Sequence, residues 1–119
     1  MKKIFFVFAV IIVLFMTACS TVPDSNGPVD DGGDYAETLA KCLTENNVKM
    51  YGAEWCGHCK NQKEEFGSDF EFVDYVDCDL NQAACATAGI EYFPTWIIDG
   101  ELLVGGKSLS QLASLSGCQ

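Results

Sequence analysis

Two cysteines three residues apart, Cys56 and Cys59, stand at the junction between an apolar segment and a polar one. The apolar segment, residues 48–53, is typical of a short buried strand, and residues 57–66 have the composition of a helix. A sulfur at a helix N-terminus lies beside unpaired N–H groups and the positive end of the helix dipole, which stabilise a thiolate. We therefore interpret Cys56 as the attacking sulfur and Cys59 as the resolving one, with His58 as a donor or partial positive charge beside them.

The N-terminus has the pattern of an export signal. Lys2 and Lys3 precede twelve consecutive apolar residues, 4–15. That run is too short to span a bilayer of ~30 Å but matches the apolar core of a signal peptide. Small residues then lead to Cys19, and this ending resembles a bacterial lipobox, although Met16 stands where leucine is usual.

These features predict three regions. Residues 1–18 are a signal peptide of the lipoprotein type, with Cys19 lipidated as the first mature residue. Ordinary cleavage that leaves Cys19 as a free thiol, or an uncleaved anchor, are the alternatives. Residues 19–34 consist of turn formers and acids without periodicity, which predicts a flexible tether. The folded domain is then residues 35–119, exported and lipid-anchored to a membrane, in the periplasm or extracellular space.

The charge and the cysteine content limit the classes of binding partner and the cellular compartment that we expect for this protein. The chain has 119 residues, a formal net charge of −10 and seven cysteines. So acidic a surface argues against nucleic acid and anionic membrane as partners, which leaves the lipid as the predicted membrane contact. Many cysteines in a short chain with an export signal indicate an oxidising compartment, and lipidation of Cys19 brings the remaining cysteines to an even number.

Periodicity and turn signals predict one small α/β domain with the element order α-β-α-β-α-β-β-α. The elements cover residues 36–46, 48–53, 57–66, 70–78, 81–88, 95–98, 102–104 and a last helix after 108. Asp34 makes a capping-box-like start to the first helix, Asp99-Gly100 joins a hairpin, and Ser108 with Gln111 caps the last helix. The β-α-β step favours parallel neighbours and the hairpin adds an antiparallel pair, so the sheet is mixed.

The segment of residues 53–60, Ala-Glu-Trp-Cys-Gly-His-Cys-Lys, resembles the active-site segment of the thioredoxin superfamily. Phe93-Pro94-Thr95 resembles the cis-proline segment of that family, which lies beside the two sulfurs and helps to position the substrate chain. The resemblance implies a compact thioredoxin-like α/β fold, in which a mixed four-stranded sheet is flanked by helices. We assign catalytic roles to Cys56, Cys59, His58 and Pro94 and substrate contacts to Trp55, Phe93 and Thr95, with no cofactor beyond the redox-active disulfide.

A narrower similarity is to the thioredoxin-like domain fused to, or partnered with, bacterial and plant vitamin K epoxide reductase homologues. It rests on residues 48–56, 61–64 and 66–67, on Pro94-Thr95-Trp96 and on Leu115-Ser116-Gly117. In those systems a membrane enzyme passes electrons to quinone, and the thioredoxin-like domain makes disulfides in exported proteins. The resemblance implies cysteine-containing exported proteins as substrates and a quinone-linked membrane protein of the vitamin K epoxide reductase type as redox partner.

Two departures from thioredoxin bear on the direction of electron flow. Met50 stands six residues before Cys56, where thioredoxin has a buried aspartate that assists proton transfer. Either proton removal from Cys59 is slower, which makes a poorer reductase, or Met50 simply fills the core. The dipeptide Gly57-His58 is that of protein disulfide isomerase rather than the Gly-Pro of thioredoxin, which favours oxidation or isomerisation.

The remaining cysteines have more than one interpretation. Cys78 and Cys85 flank the turn from the second strand into the third helix, where a structural disulfide would pin a loop. A second redox relay is the alternative. By elimination Cys42 and Cys118, on the first and last helices, form a bridge or remain buried free thiols. We assign no metal, because structural zinc usually needs a second Cys/His pair and His58 is the only histidine.

Together these features predict an extracytoplasmic thiol–disulfide oxidoreductase that forms or isomerises disulfides in exported proteins through Cys56 and Cys59. One alternative is an extracytoplasmic disulfide reductase, with the same fold and the opposite electron flow. The other is a non-catalytic lipoprotein that binds metal or a partner. The redox state of the cysteine pair in cells separates the first two, and metal analysis of the reduced protein tests the third.

Overall fold

The structure, a computed structural model, describes residues 32–119. The predicted signal peptide (1–18), Cys19 and most of the predicted tether (19–34) lie outside the described residues. No helix in this part of the chain is long and apolar enough to cross a membrane.

The described chain forms a four-stranded sheet with helices packed around it. In chain order the elements are α1 (Gly32–Glu45), β1 (Lys49–Gly52), α2 (Gly57–Phe66), a 3₁₀ helix (Gly67–Phe72), β2 (Asp74–Asp77), α3 (Gln82–Ala88), β3 (Thr95–Ile98), β4 (Glu101–Val104) and α4 (Leu109–Ser116). The strand order is β2-β1-β3-β4; β1 and β2 are parallel, and the other two pairings are antiparallel. This mixed sheet flanked by helices confirms the predicted α/β fold class.

Helix α1 begins at Gly32, before the predicted start at residue 36. Asp34 therefore lies in the first turn of the helix rather than at the N-cap. In the first turn its carboxylate still complements the positive end of the helix dipole. The apolar stripe is confirmed as the packing face, since its four members are buried: Ala36, Leu39, Ala40 and Leu43. Burial of this stripe against the sheet holds the helix in place.

The predicted strand over residues 70–78 is wrong in its first part, because the first three of these residues belong to the 3₁₀ helix. The ring of Phe70 packs edge-on against Tyr75 with centroids 5.5 Å apart. The hydroxyl of Thr44 donates to the Phe72 carbonyl at 2.7 Å and ties the end of the 3₁₀ helix to α1. The aromatic residues that indicated a strand therefore serve tertiary packing, which composition alone does not distinguish from strand propensity.

The local turn and cap signals are confirmed. Asp99 and Gly100 both have positive φ, 50° and 79°, as the tight hairpin between β3 and β4 requires. The Ser108 hydroxyl accepts the Gln111 N–H at 3.2 Å, and the Gln111 side chain accepts the Ser108 N–H at 2.9 Å. Gly117 ends α4 in the left-handed conformation, with φ 76°.

The sheet separates two apolar clusters. On one face Met50 and Trp96 are fully buried, in the larger cluster with α1 and α4. On the other face a smaller cluster gathers Tyr51, Cys78 and Cys85. Strand β1 contributes to both clusters, so its carboxyl end is held firmly from each side.

Candidate active site

The predicted active-site segments meet at the carboxyl end of β1. The strand ends at Gly52, and the chain turns through buried Ala53 and exposed Trp55 into α2. The Cys56 N–H donates to the Ala53 carbonyl at 3.2 Å, which closes the turn. Since β3 is antiparallel to β1, its N-terminal end with Pro94 lies at the same edge of the sheet. A strand-to-helix turn and a proline loop therefore face each other.

Cys56 is the N-cap residue of α2. Its Sγ accepts the backbone N–H of Cys59 at 3.2 Å. Both cysteines are free thiols, with Cys56 6% exposed and Cys59 fully buried. An incoming sulfur therefore reaches Cys56 first, at a position where the helix N-terminus favours negative charge.

Cys59 is held as a neutral thiol. Burial raises its pKa to about 12, and the hydrogen bond with Cys56 acts in the same direction. A backbone hydrogen bond from Ala53 and the ammonium group of Lys63 lower the pKa, without offsetting the burial. At neutral pH, any step in which Cys59 attacks or leaves as a thiolate needs a nearby group that stabilises the negative charge.

A groove of about 380 Å³ opens beside Cys56, between the active-site turn and the loop before Pro94. Its walls include the exposed His58 and the ring of Trp55, which meets Phe93 edge-on at a centroid distance of 5.9 Å. The Phe93–Pro94 peptide bond is cis, the isomer that the resemblance implies. Cys56 itself lines the groove, so a chain bound there lies beside its sulfur.

Thr95 is not among the residues that line this groove. Its side chain is buried, and its hydroxyl donates to the Tyr92 carbonyl at 2.7 Å. The structure therefore gives the Thr95 side chain a part in holding the proline loop, whereas Trp55 and Phe93 line the groove itself.

The other four described cysteines form two bridges. Cys42 is bonded to Cys118 and Cys78 to Cys85, with Cα separations of 5.9 Å and 5.8 Å. The N–H of Cys78 donates to the Gly52 carbonyl at 2.8 Å, so the second bridge borders the strand that carries the site. Within residues 32–119 no group of three His, Cys, Asp or Glu side chains is placed to hold a metal ion.

Two polar side chains of α2 form contacts near the site that the Cys56–Cys59 motif did not predict. Lys63, one turn beyond the buried thiol, forms an ion pair with Glu54 at 2.8 Å. Gln62 is buried and accepts hydrogen bonds from Trp96 Nε1 at 3.1 Å and from the Lys107 N–H at 2.6 Å. Helical spacing from the second cysteine is a signal that could have found Lys63, whereas no sequence signal separates Gln62 from a surface glutamine.

The cysteine pair at a strand-to-helix turn, facing a cis-proline, has counterparts in known proteins. The family model described as Thioredoxin matches residues 30–114. This chain belongs to the thioredoxin family. The match includes both free thiols, Cys56 and Cys59, and the cis-proline Pro94.

Two curated relatives and one solved structure are similar to parts of this chain. The chain is 36% identical to thiol-disulfide oxidoreductase LTO1 of Arabidopsis thaliana, over 92% of this chain and 35% of LTO1. It is 35% identical to protein disulfide isomerase-like 2-1 of Oryza sativa subsp. japonica, over 46% of this chain and 18% of that protein. The chain therefore spans about a third of LTO1 and a smaller share of the rice protein. The X-ray structure of Fasciola hepatica thioredoxin is 26% identical with a TM-score of 0.40, covering 67% of this chain and 89% of that structure.

Proposed function

We propose that this thioredoxin-family protein forms or isomerises disulfides in exported proteins. The observation that carries the proposal is the unequal placement of the two thiols. Cys56 borders the groove at the N-terminus of α2, and Cys59 is buried behind it. A peptide lying in the groove presents its sulfur to Cys56 and not to Cys59, which supports attack at Cys56 and resolution by Cys59.

Oxidation of a substrate dithiol proceeds in two exchanges. A substrate thiolate attacks Sγ of Cys56 in the Cys56–Cys59 disulfide, and a mixed disulfide forms. Cys59 leaves with the electron pair as a thiolate and takes up a proton. The second substrate thiolate then attacks the first substrate sulfur, which completes the substrate disulfide and releases Cys56 as a thiolate. The substrate loses two electrons, and the cysteine pair gains them.

Oxidation is favoured over reduction by the surroundings of the pair. His58 lies in the groove wall beside Cys56, where a donor stabilises the reduced thiolate form and so strengthens the disulfide as an oxidant. Met50 is fully buried and supplies no carboxylate to take the Cys59 proton. After each cycle the reduced Cys56–Cys59 pair has to be oxidised again. We propose that a quinone-linked membrane protein of the vitamin K epoxide reductase type does this.

An extracytoplasmic location, with the domain tethered through a lipid on Cys19, is part of the same proposal. The apolar segment after Lys2 and Lys3 supports export. The bridges Cys42–Cys118 and Cys78–Cys85 support an oxidising compartment. They also occupy four cysteines that a zinc site would need, which weighs against a metal-binding lipoprotein.

The redox state of the Cys56–Cys59 pair in living cells tests the direction of electron flow. Cells are quenched in acid, free thiols are blocked with a maleimide of known mass, and the protein is resolved on a non-reducing gel. We expect the pair to be mostly oxidised, and to become reduced when the membrane oxidant is inactivated. The Cys56→Ser/Cys59→Ser chain marks the position of protein without the pair. A pair found mostly reduced in untreated cells would instead support the reductase.

A further inference from the structure

Tyr75, on β2, carries a buried polar atom that the exchange reaction described above does not use. Its Oη is shielded from solvent and has no hydrogen-bond partner among residues 32–119. Buried hydroxyls in native proteins are nearly always hydrogen-bonded, because leaving one unpaired is costly. A hydroxyl kept in this condition in the dithiol form is free to pair with a group that gains charge during the reaction.

The hydroxyl and the Cys59 sulfur converge on the same point of β1. A methyl group on Gly52 would place its carbon 2.9 Å from Cys59 Sγ and 3.4 Å from Tyr75 Oη. The missing side chain at Gly52 therefore leaves room for both atoms. Met50, the register partner of Tyr75 on β1, is fully buried and supplies no proton donor. The phenol thus presents a polar atom to the buried thiol from the neighbouring strand.

The protonation states fit a donor facing a thiol. Burial raises the pKa of the Tyr75 phenol, and the carboxylates of Asp77 and Glu54 raise it as well. The hydroxyl therefore stays protonated through the physiological pH range and acts as a donor rather than a base. The pKa of Cys59 is also raised, chiefly by burial, so its thiolate gains more from a hydrogen bond than an exposed thiolate would.

The other charged groups around the phenol act at longer range. Lys63 Nζ lies 4.2 Å from the centroid of the Tyr75 ring and 2.8 Å from Glu54 Oε1. The Lys63 ammonium lowers the pKa of Cys59 electrostatically. Its ion pair with Glu54 holds it over the Tyr75 ring. The carboxylates of Glu54 and Asp77 oppose a negative charge at this place. Compared with the charged side chains of Lys63, Glu54 and Asp77, the Tyr75 hydroxyl is a neutral hydrogen-bond donor.

We propose that the Tyr75 hydroxyl donates a hydrogen bond to the Cys59 thiolate that forms when the Cys56–Cys59 disulfide opens. When a substrate thiolate bonds to Cys56, the S–S bond breaks, Cys59 leaves with the electron pair, and the phenol bonds to that charge until a solvent proton neutralises it. In reverse, the same bond favours loss of the Cys59 proton and hence resolution of a mixed disulfide. The proposal rests on the proposed exchange chemistry, in either direction of electron flow.

The resolution step tests this role with the Tyr75→Phe variant of the full chain. The reduced protein is mixed with oxidised glutathione and quenched in acid, and the mixed disulfide is separated by mass from the Cys56–Cys59 disulfide. We expect resolution near neutral pH to slow about tenfold, the effect of losing a hydrogen bond to a charged group. We also expect the midpoint of the pH–rate profile to rise by about one pH unit. Tyr51→Phe, on the opposite face of the sheet, should leave both unchanged.

Equal rates and pH profiles in wild type and Tyr75→Phe would overturn the role of Tyr75, as would the same slowing in Tyr51→Phe. Thermal unfolding provides a second measurement. Because the hydroxyl has no partner among residues 32–119 in the dithiol form, reduced Tyr75→Phe should melt at the temperature of the reduced wild type or above it. A lower melting temperature with an unshifted pH profile would assign Tyr75 to packing instead. If the wild-type chain itself fails to resolve its glutathione adduct, the exchange chemistry fails as well.

Discussion

Replacing Cys56 with serine should reduce disulfide exchange to the uncatalysed background. A serine hydroxyl is not ionised near neutral pH and forms no mixed disulfide. Cys59 cannot substitute for the lost sulfur, because it is fully buried and this burial raises the pKa of its thiol. Oxidation of a fluorescent dithiol peptide by the purified chain measures this loss directly.

Cys59→Ala should instead accumulate the mixed disulfide between Cys56 and the substrate. Cys56 still attacks, but the mixed disulfide is no longer resolved, so covalent complexes with substrate should accumulate and disappear on reduction. The matched control is Cys42→Ser/Cys118→Ser, which removes a bridge and leaves both exchange thiols. Exchange at the wild-type rate in Cys56→Ser would contradict the assignment of the attacking sulfur.

Replacing Trp96 with alanine should lower the free energy of unfolding by about 3–5 kcal/mol. Trp96 is fully buried on β3, with its ring centroid 6.3 Å from that of Phe66. Its Nε1 donates to Gln62 Oε1 at 3.1 Å. Removing the ring leaves a cavity in the larger apolar cluster and takes a donor from a buried amide. Since small domains have a total stability of about 5–15 kcal/mol, this is a large share.

Urea unfolding followed by circular dichroism measures this change without relying on tryptophan fluorescence. Trp55→Ala is the matched control for stability, because the Trp55 side chain is 69% exposed. We expect its effect on unfolding to stay below about 1 kcal/mol. Similar losses in the two variants would contradict the placement of Trp96 at the centre of the core.

The parts of the fold that could be predicted are those set by local signals. Helix α2 has its predicted bounds, since a cap at Cys56 and a glycine at Gly67 mark its ends. The hairpin and the last helix followed from turn and capping residues in the same way. The 3₁₀ helix could not be foreseen, because Phe70 and Phe72 have high strand propensity and only their tertiary contacts select the helical turn.

Some residues of the site are likewise marked by local signals, whereas others are brought together only by the fold. The exchange thiols and the proline loop are marked by short motifs, and the resemblance of these motifs to the thioredoxin superfamily implied that they meet. The pairing of Cys42 with Cys118 depends on how closely two distant elements approach, which no spacing reveals. The place of Tyr75 opposite Cys59 depends on the β1–β2 register, and in the sequence Tyr75 is only one aromatic residue of a strand.

The equilibrium reduction potential of the Cys56–Cys59 pair against glutathione is the most direct test of the protein as an oxidant. The Cys56→Ser/Cys59→Ser chain, which keeps the four bridged cysteines, provides the blank. We predict a value above roughly −220 mV, toward the roughly −180 mV of protein disulfide isomerase. A value near the roughly −270 mV of thioredoxin would contradict disulfide formation as the function and support the reductase.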